Sequence, residues 1–285
     1  MRLIRFGAPE KEKPGIELNG QRYDTSSFGE DYGETFFATD GLNRLKAFTE
    51  QHKDNLPLVA SEERWASPIT RPSKIICIGL NYSDHAAETN AAIPEEPILF
   101  LKSTTALCGP FDNIRLPKNS TKTDWEVELA IVIRKKCSYV SEEEARQSIA
   151  GYAVFNDLSE REFQLERGGT WDKGKGCDSF GPLGPYLVTA DEAGATDQLS
   201  LWLKVNGQLM QSGNTTNLIF SIPHLIAYVS RFMTLLPGDV ISTGTPAGVG
   251  LGQSPQVYLQ PGDVCELGID GLGISRQHVV VYEED

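Results

Sequence analysis

Asp124-Trp125-Glu126-Val127-Glu128-Leu129-Ala130-Ile131-Val132-Ile133 is the stretch on which the reading of this chain turns. A β-strand sends alternate side chains to opposite faces. Trp125, Val127, Leu129, Ile131 and Ile133 therefore share one face, and Glu126, Glu128, Ala130 and Val132 share the other. Both faces turn apolar toward Ile133, which predicts a strand covered on both sides over that half. Two carboxylates side by side at the other end would repel each other and be poorly solvated. A divalent cation held between them answers that difficulty; an edge strand with one wet face is the other reading. Hard ions such as Mg2+, Mn2+ or Ca2+ take carboxylate oxygens, and none of the four histidines lies in this strand.

Short strands dominate the sequence around it. Ile75–Gly79, Ile98–Leu101, Glu126–Ile133, Gly151–Phe155, Leu199–Val205, Asp239–Thr243 and His278–Tyr282 fit strand templates. Asn206-Gly207, Pro237-Gly238-Asp239 and Pro261-Gly262-Asp263 mark turns. Helices are few: Ser141 to Glu144 and Ser159 to Glu162 read as capping boxes, and Ser221 as the cap of a helix carrying Ile222, Leu225, Ile226 and Val229. Residues 1–70 read as a small N-terminal α/β domain, with a hairpin at Asn19-Gly20 and an amphipathic helix from Asp40 to His52. A proline-bearing linker, Ala66 to Pro72, leads into the larger domain, residues 71–285. No βαβ alternation is present, so the expected class is α+β with a mainly β body.

Composition narrows the function. The 285 residues are 40% hydrophobic, ample for a large core. A formal net charge of −13 repels nucleic acid and anionic membrane surfaces, leaving neither as an expected partner. No apolar run approaches the ~20 residues that cross a bilayer, and the start of the chain lacks signal-peptide character, so the expected location is the cytoplasm. An anionic small molecule would also be repelled, and needs local positive charge to bind. The five cysteines lie 29 or more residues apart, with no CxxC pair, which argues for reduced thiols. GxSxG and HExxH are both missing.

Four further segments carry chemistry. Asp157 sits where the apolar run Gly151–Phe155 hands over to a helix start, a position suited to a third carboxylate ligand or to a plain turn residue. Arg161 and Gln164, three apart, flank the same mouth or form a surface pair. After the Ile75–Gly79 strand, His85 and Glu88 share a helix face at i,i+3: either a base oriented by its carboxylate or a solvated pair. Gly169 to Lys175 matches GxxxxGK, but Gly176 stands where a phosphate loop needs Ser or Thr, and the stretch follows a helix. A lysine between glycines instead suits a closely approaching anion. Ile241 to Gly250 ends a strand in a glycine-rich turn whose amides, with the Thr245 hydroxyl, could receive a carboxylate; it fails the dinucleotide pattern at Gln253.

In this order, these segments resemble the fumarylacetoacetate hydrolase family over roughly residues 72–275. The resemblance implies a mixed β-sandwich roll, usually a homodimer, behind a variable N-terminal domain. It implies Mg2+ or Mn2+ on Glu126, Glu128 and Asp157, with Ca2+ possible. His85 and Glu88 match its His–Glu pair on a lid segment, Lys175 its lysine facing a keto or enolate oxygen, and Arg161, Gln164 and Thr245 its substrate-side positions. Gly169 to Asp178 looks most like bacterial members that hydrolyse 2,4-diketo-3-deoxy sugar acids to pyruvate and a hydroxy acid. Gly176-Cys177 departs from the Ser-Phe or Gly-Phe of many relatives. The same apparatus serves acylpyruvases, oxaloacetate decarboxylases and hydroxyheptadienedioate isomerases. A non-catalytic ligand-binding homologue is a further reading, against which His85, Glu88 and Lys175 argue.

Overall fold

The computed structural model describes residues 1–88 and 90–283. Its spine is a ten-stranded sheet with Val127–Ile133 near the centre. In order, the strands are Gln21–Asp24, Lys13–Leu18, Arg2–Phe6, Leu187–Thr189, Ile149–Asn156, Val127–Ile133, Val240–Ser242, Ile75–Gly79 and Ile98–Lys102; Trp65–Ala66 pairs off this path with Arg2–Phe6. Every pairing is antiparallel except Val240–Ser242 with Ile75–Gly79. A second sheet orders Gln208–Asn214, Ser200–Val205, Val264–Ile269, Gly273–Val280 and Ile114–Arg115.

The two-sided patterning of the central strand is realised. Val127, Leu129, Ile131 and Ile133 join Leu201, Leu203, Leu267 and Ile269 of the second sheet in one apolar core. Ala130 and Val132 face the opposite way, into a core built with Leu3, Ile16, Phe36, Phe37, Leu42 and Leu45. The ten-stranded sheet is thus the middle layer between a β-sheet and the helices Glu34–Ala38 and Gly41–His52. Residues 1–70 share both this sheet and this core with the rest of the chain. The Asn19-Gly20 hairpin forms with φ of 53° and 82°, the paired positive values of a type I′ turn.

Three local expectations change. Ser159 caps no helix: Ser159–Glu160 is extended and pairs with Thr123–Asp124, and the Ser159 hydroxyl donates to the Asp157 carbonyl. Ser221 precedes Ile222–Val229 without a side-chain cap, whereas the Ser141 box forms in full. The last strand runs Gly273–Val280, well before the predicted His278 start. Among the described residues no helix is long and apolar enough to cross a membrane.

Candidate metal centre and active site

Strand register builds the acidic centre. Val127 pairs with Asn156, and one step further the Asp157 amide donates to the Glu126 carbonyl at 2.9 Å, which sets Glu126 and Asp157 together. Ala130 pairs with Ser242 on the other flank, and the Ser242 hydroxyl and the Gly244 amide (2.9 Å) both donate to Glu128 Oε2. Glu126, Glu128 and Asp157 are all buried, and each offers an oxygen within 4.8 Å of the others'.

Three buried cations surround them. Lys175 Nζ donates to Glu126 Oε2 at 2.6 Å and to Asp157 Oδ2 at 3.0 Å, and lies 5.1 Å above the Phe100 ring. Lys102 Nζ donates to Asp157 Oδ1 at 2.6 Å and to the Leu158 carbonyl at 2.9 Å. Arg161 gives Nε to Asp124 at 2.8 Å, Nη2 to Glu126 at 2.7 Å and Nη1 to Gln164 Oε1 at 2.9 Å. Asp124, Glu126 and Asp157 are therefore ion-paired, and Glu128 is the carboxylate of the group with no ion pair among the described residues.

The titration behaviour follows that division. Burial works to raise the Glu126 carboxyl, but Lys175 and Arg161 outweigh it and hold it at about 2. Burial pushes the Glu128 carboxyl well above the usual range, and neighbouring Asp157 and Glu126 add to the push. Burial also opposes the charge on Lys175, but Asp157 and Glu126 outweigh it and raise its pKa. A buried trio with one uncompensated member is a donor set that a hard divalent cation suits: it would ionise Glu128 and relieve the repulsion.

Of the remaining sequence candidates, His85, Arg161, Gln164 and Thr245 line one cavity of about 220 Å³ with Glu126, Glu128 and Lys175. His85 stands on the short helix Ser83–Glu88, its Nδ1 3.2 Å from Glu88 Oε2, and is 8% exposed. Glu88 Oε1 accepts the Gly248 amide at 2.9 Å. Thr245 lines the cavity, but its hydroxyl donates to the Val127 carbonyl and accepts from Gln211. Lys175 ends the short helix Asp172–Lys175, and Gly174 makes that placement feasible: a Cβ there would lie 2.4 Å from the Glu160 carbonyl.

Sequence reasoning passed over Lys102 and Asp124. Lys102 closes the run Ile98-Leu99-Phe100-Leu101, and a lone cation ending an apolar strand was the available signal. Fully buried Asp124 accepts the Gly250 amide (2.6 Å) and the Leu251 amide (3.0 Å) as well as Arg161. It ties the loop that receives Glu88 to the guanidinium that holds Glu126.

The family model described as fumarylacetoacetate (FAA) hydrolase C-terminal matches residues 74–280. The chain belongs to the fumarylacetoacetate hydrolase family. A Burkholderia multivorans protein, named only as a hydrolase, is 51% identical to this family member over 279 residues, 97% of this chain and 98% of that one. The fumarylacetoacetate hydrolase of psychrophilic Exiguobacterium antarcticum superposes with a TM-score of 0.85 at 34% identity, covering 99% of this chain and all of that one. The maleylpyruvate hydrolase of Sphingobium sp. SYK-6, solved with manganese(II) and pyruvate, gives 0.83 at 30% identity over 99% and 100% of the two chains. As in that family, the fold is mixed α and β with strands dominant.

Proposed function

We propose that this protein is a divalent-metal hydrolase that cuts the C3–C4 bond of a 2,4-diketo acid, releasing pyruvate and a carboxylic acid. The observation that carries the reading is a single cavity lined by the carboxylates Glu126 and Glu128, the cations Lys175 and Arg161, and His85 with Glu88 behind it. Manganese and pyruvate in the Sphingobium relative support it. The sugar-acid class named by the sequence resemblance and the acylpyruvates share this diketo-acid head; they differ in the tail.

Glu126, Glu128 and Asp157 would hold Mg2+ or Mn2+. Such a cation, when bound, supplies positive charge that stabilises a developing enolate. Arg161 and Gln164 receive the substrate carboxylate: Nη1 of Arg161 carries a second hydrogen beyond the one given to Gln164, and Gln164, which accepts through Oε1, keeps its amide N–H groups. His85 takes a proton from water, which adds to the C4 carbonyl, and Glu88 stabilises the imidazolium. The C3–C4 electron pair passes into the pyruvate enolate as the bond breaks. Lys175 shares the negative charge, and the proton held by His85 returns to C3. In a chain with a net charge of −13, the buried cations provide the local positive field that an anion requires.

The test is pyruvate release from 2,4-diketo acids. Verified removal of metal should abolish it and Mn2+ or Mg2+ should restore it; full activity in the metal-free protein sinks the proposal. His85→Ala should lower kcat by about 10²-fold or more while Mn2+ binding is kept. Unchanged turnover removes His85 from the role. Carbon dioxide release or double-bond migration without cleavage would mark a decarboxylase or isomerase instead.

A further inference from the structure

We infer that the substrate's tail, beyond the diketo-acid head, is apolar and uncharged, and that Leu165 at the cavity mouth selects for it. The inference deepens the reading above and rests on it only for the head lying at the acidic centre. The charged and hydrogen-bonding side chains that line the cavity are those of the site already described, and they converge on the carboxylate trio. The rest of the described lining is different in kind: beside Gly79 and Ala91 it is Ile78, Leu80, Phe100, Leu165, Trp171 and Leu251, with no cation and no hydrogen-bonding side-chain group except the Trp171 indole.

A second anionic group on the ligand would find no cation to meet it on this wall. Arg161 meets Asp124, Glu126 and Gln164 and has its remaining Nη1 hydrogen taken by the head carboxylate, and Lys175 sits at the head between Glu126 and Asp157. Outside this lining, on the same turn of chain, Arg167 is paired with Glu162 at 2.6 Å, and Lys122 with Glu166. A carboxylate pressed against Leu, Phe and Trp loses its water without compensation, and hydroxyls fare similarly, whereas an alkyl tail gains by leaving water. Leu165 marks where this wall meets solvent. It lines the cavity and yet is 47% exposed, on the π-helical turn Glu162–Glu166 that also carries Gln164. That placement separates the chain from an enzyme of maleylpyruvate, which is a dicarboxylate.

Two chain-matched probes that cannot be cleaved, 2-oxoheptanoate and 2-oxoheptanedioate, decide it by calorimetric binding to the Mn2+-loaded protein. The monocarboxylate should bind at least about tenfold more tightly. Leu165→Lys, at a half-exposed position that tolerates the change, should shrink that ratio by tightening the dioate. Equal affinities, or a ratio untouched by Leu165→Lys, overturns the inference. Turnover of 2,4-dioxoheptanoate is measured alongside. A tail preference without pyruvate release supports this inference and sinks the hydrolase reading; pyruvate release with no tail preference does the reverse.

Discussion

Replacing Glu128 by glutamine isolates the carboxylate that has no ion pair among the described residues. Its folded pKa is pushed well above the ordinary value, first by burial and then by Asp157 and Glu126. The metal-free native state therefore keeps a proton that the unfolded chain has released. The contribution to stability is fully present below the unfolded pKa, about 4.3, and is lost as pH rises through the folded pKa, at about 1.4 kcal/mol per pH unit for one proton. Glutamine is neutral at every pH and almost the same shape, so the variant lacks this slope. In metal-free protein, the Tm of Glu128→Gln relative to wild type should climb by about 2–3 °C per unit as pH rises from about 5, for a chain of this size. Mn2+ reverses the order. A ligating carboxylate must be ionised, so Mn2+ uptake by wild type should release about one proton that the variant does not, counted by calorimetry in buffers of different ionisation enthalpy. At 100 Kd of free Mn2+ the wild type should gain about 2.7 kcal/mol, and the variant should lose most of that gain. A pH-independent difference between the metal-free proteins, or unaltered proton release and Mn2+ stabilisation in the variant, would refute the assignment of Glu128 as the uncompensated ligand.

Other perturbations probe the surrounding frame. Asp124→Asn removes the charge that holds Arg161 and two loop amides, and should cost about 3 kcal/mol or more by urea unfolding, with a raised KM in the folded fraction. Gly252→Ala places a Cβ 2.5 Å from Glu88 Cδ, so kcat should fall while Mn2+ affinity, measured by calorimetry, stays near wild type. A fragment of residues 71–285 bares Ala130, Val132, Ala150 and Ala153, which pack against the N-terminal helices and strands; it should lose the sharp thermal transition of the full chain. A cooperative transition with intact Mn2+ binding would instead show residues 71–285 to be an independent domain.

The central strand was legible because two independent patterns coincide there: strict alternation, and apolar residues on both faces toward Ile133. The same alternation put Glu126 and Glu128 on one face, which the structure bears out. What escaped was decided by distant partners. Ser159 and Glu160 have the letters of a helix cap, yet Glu160 is buried against Ser120 and Thr123, and the pairing with Thr123–Asp124 holds the segment extended. The strand Gln208–Asn214 has its two apolar residues, Leu209 and Met210, adjacent and buries only the polar Gln211, so it gives no alternating signal. Lys102 and Asp124 look like ordinary charged residues until the sheet order brings them to Asp157 and Arg161 across 55 and 37 residues of chain.

The glycine-rich loop after Ser242 shows how an expectation can hold in kind and differ in object. Its amides do receive carboxylates, but the carboxylates belong to the protein: Gly244 serves Glu128, Gly248 serves Glu88, and Gly250 with Leu251 serves Asp124. Glu128 belongs to the buried carboxylate trio and Glu88 to the helix of His85, while Asp124 orients Arg161. Side chains cannot replace the glycines: a Cβ at Gly248 would lie 2.0 Å from the Met210 carbonyl, and one at Gly250 1.9 Å from that of Val257. Because backbone amides are fixed by the chain path, displacing any one of these acids strains the loop that holds the other two. The proposed base, the guanidinium and the proposed metal ligands are thereby tied to a single rigid turn, which is the kind of preorganisation that charge stabilisation in a buried site requires.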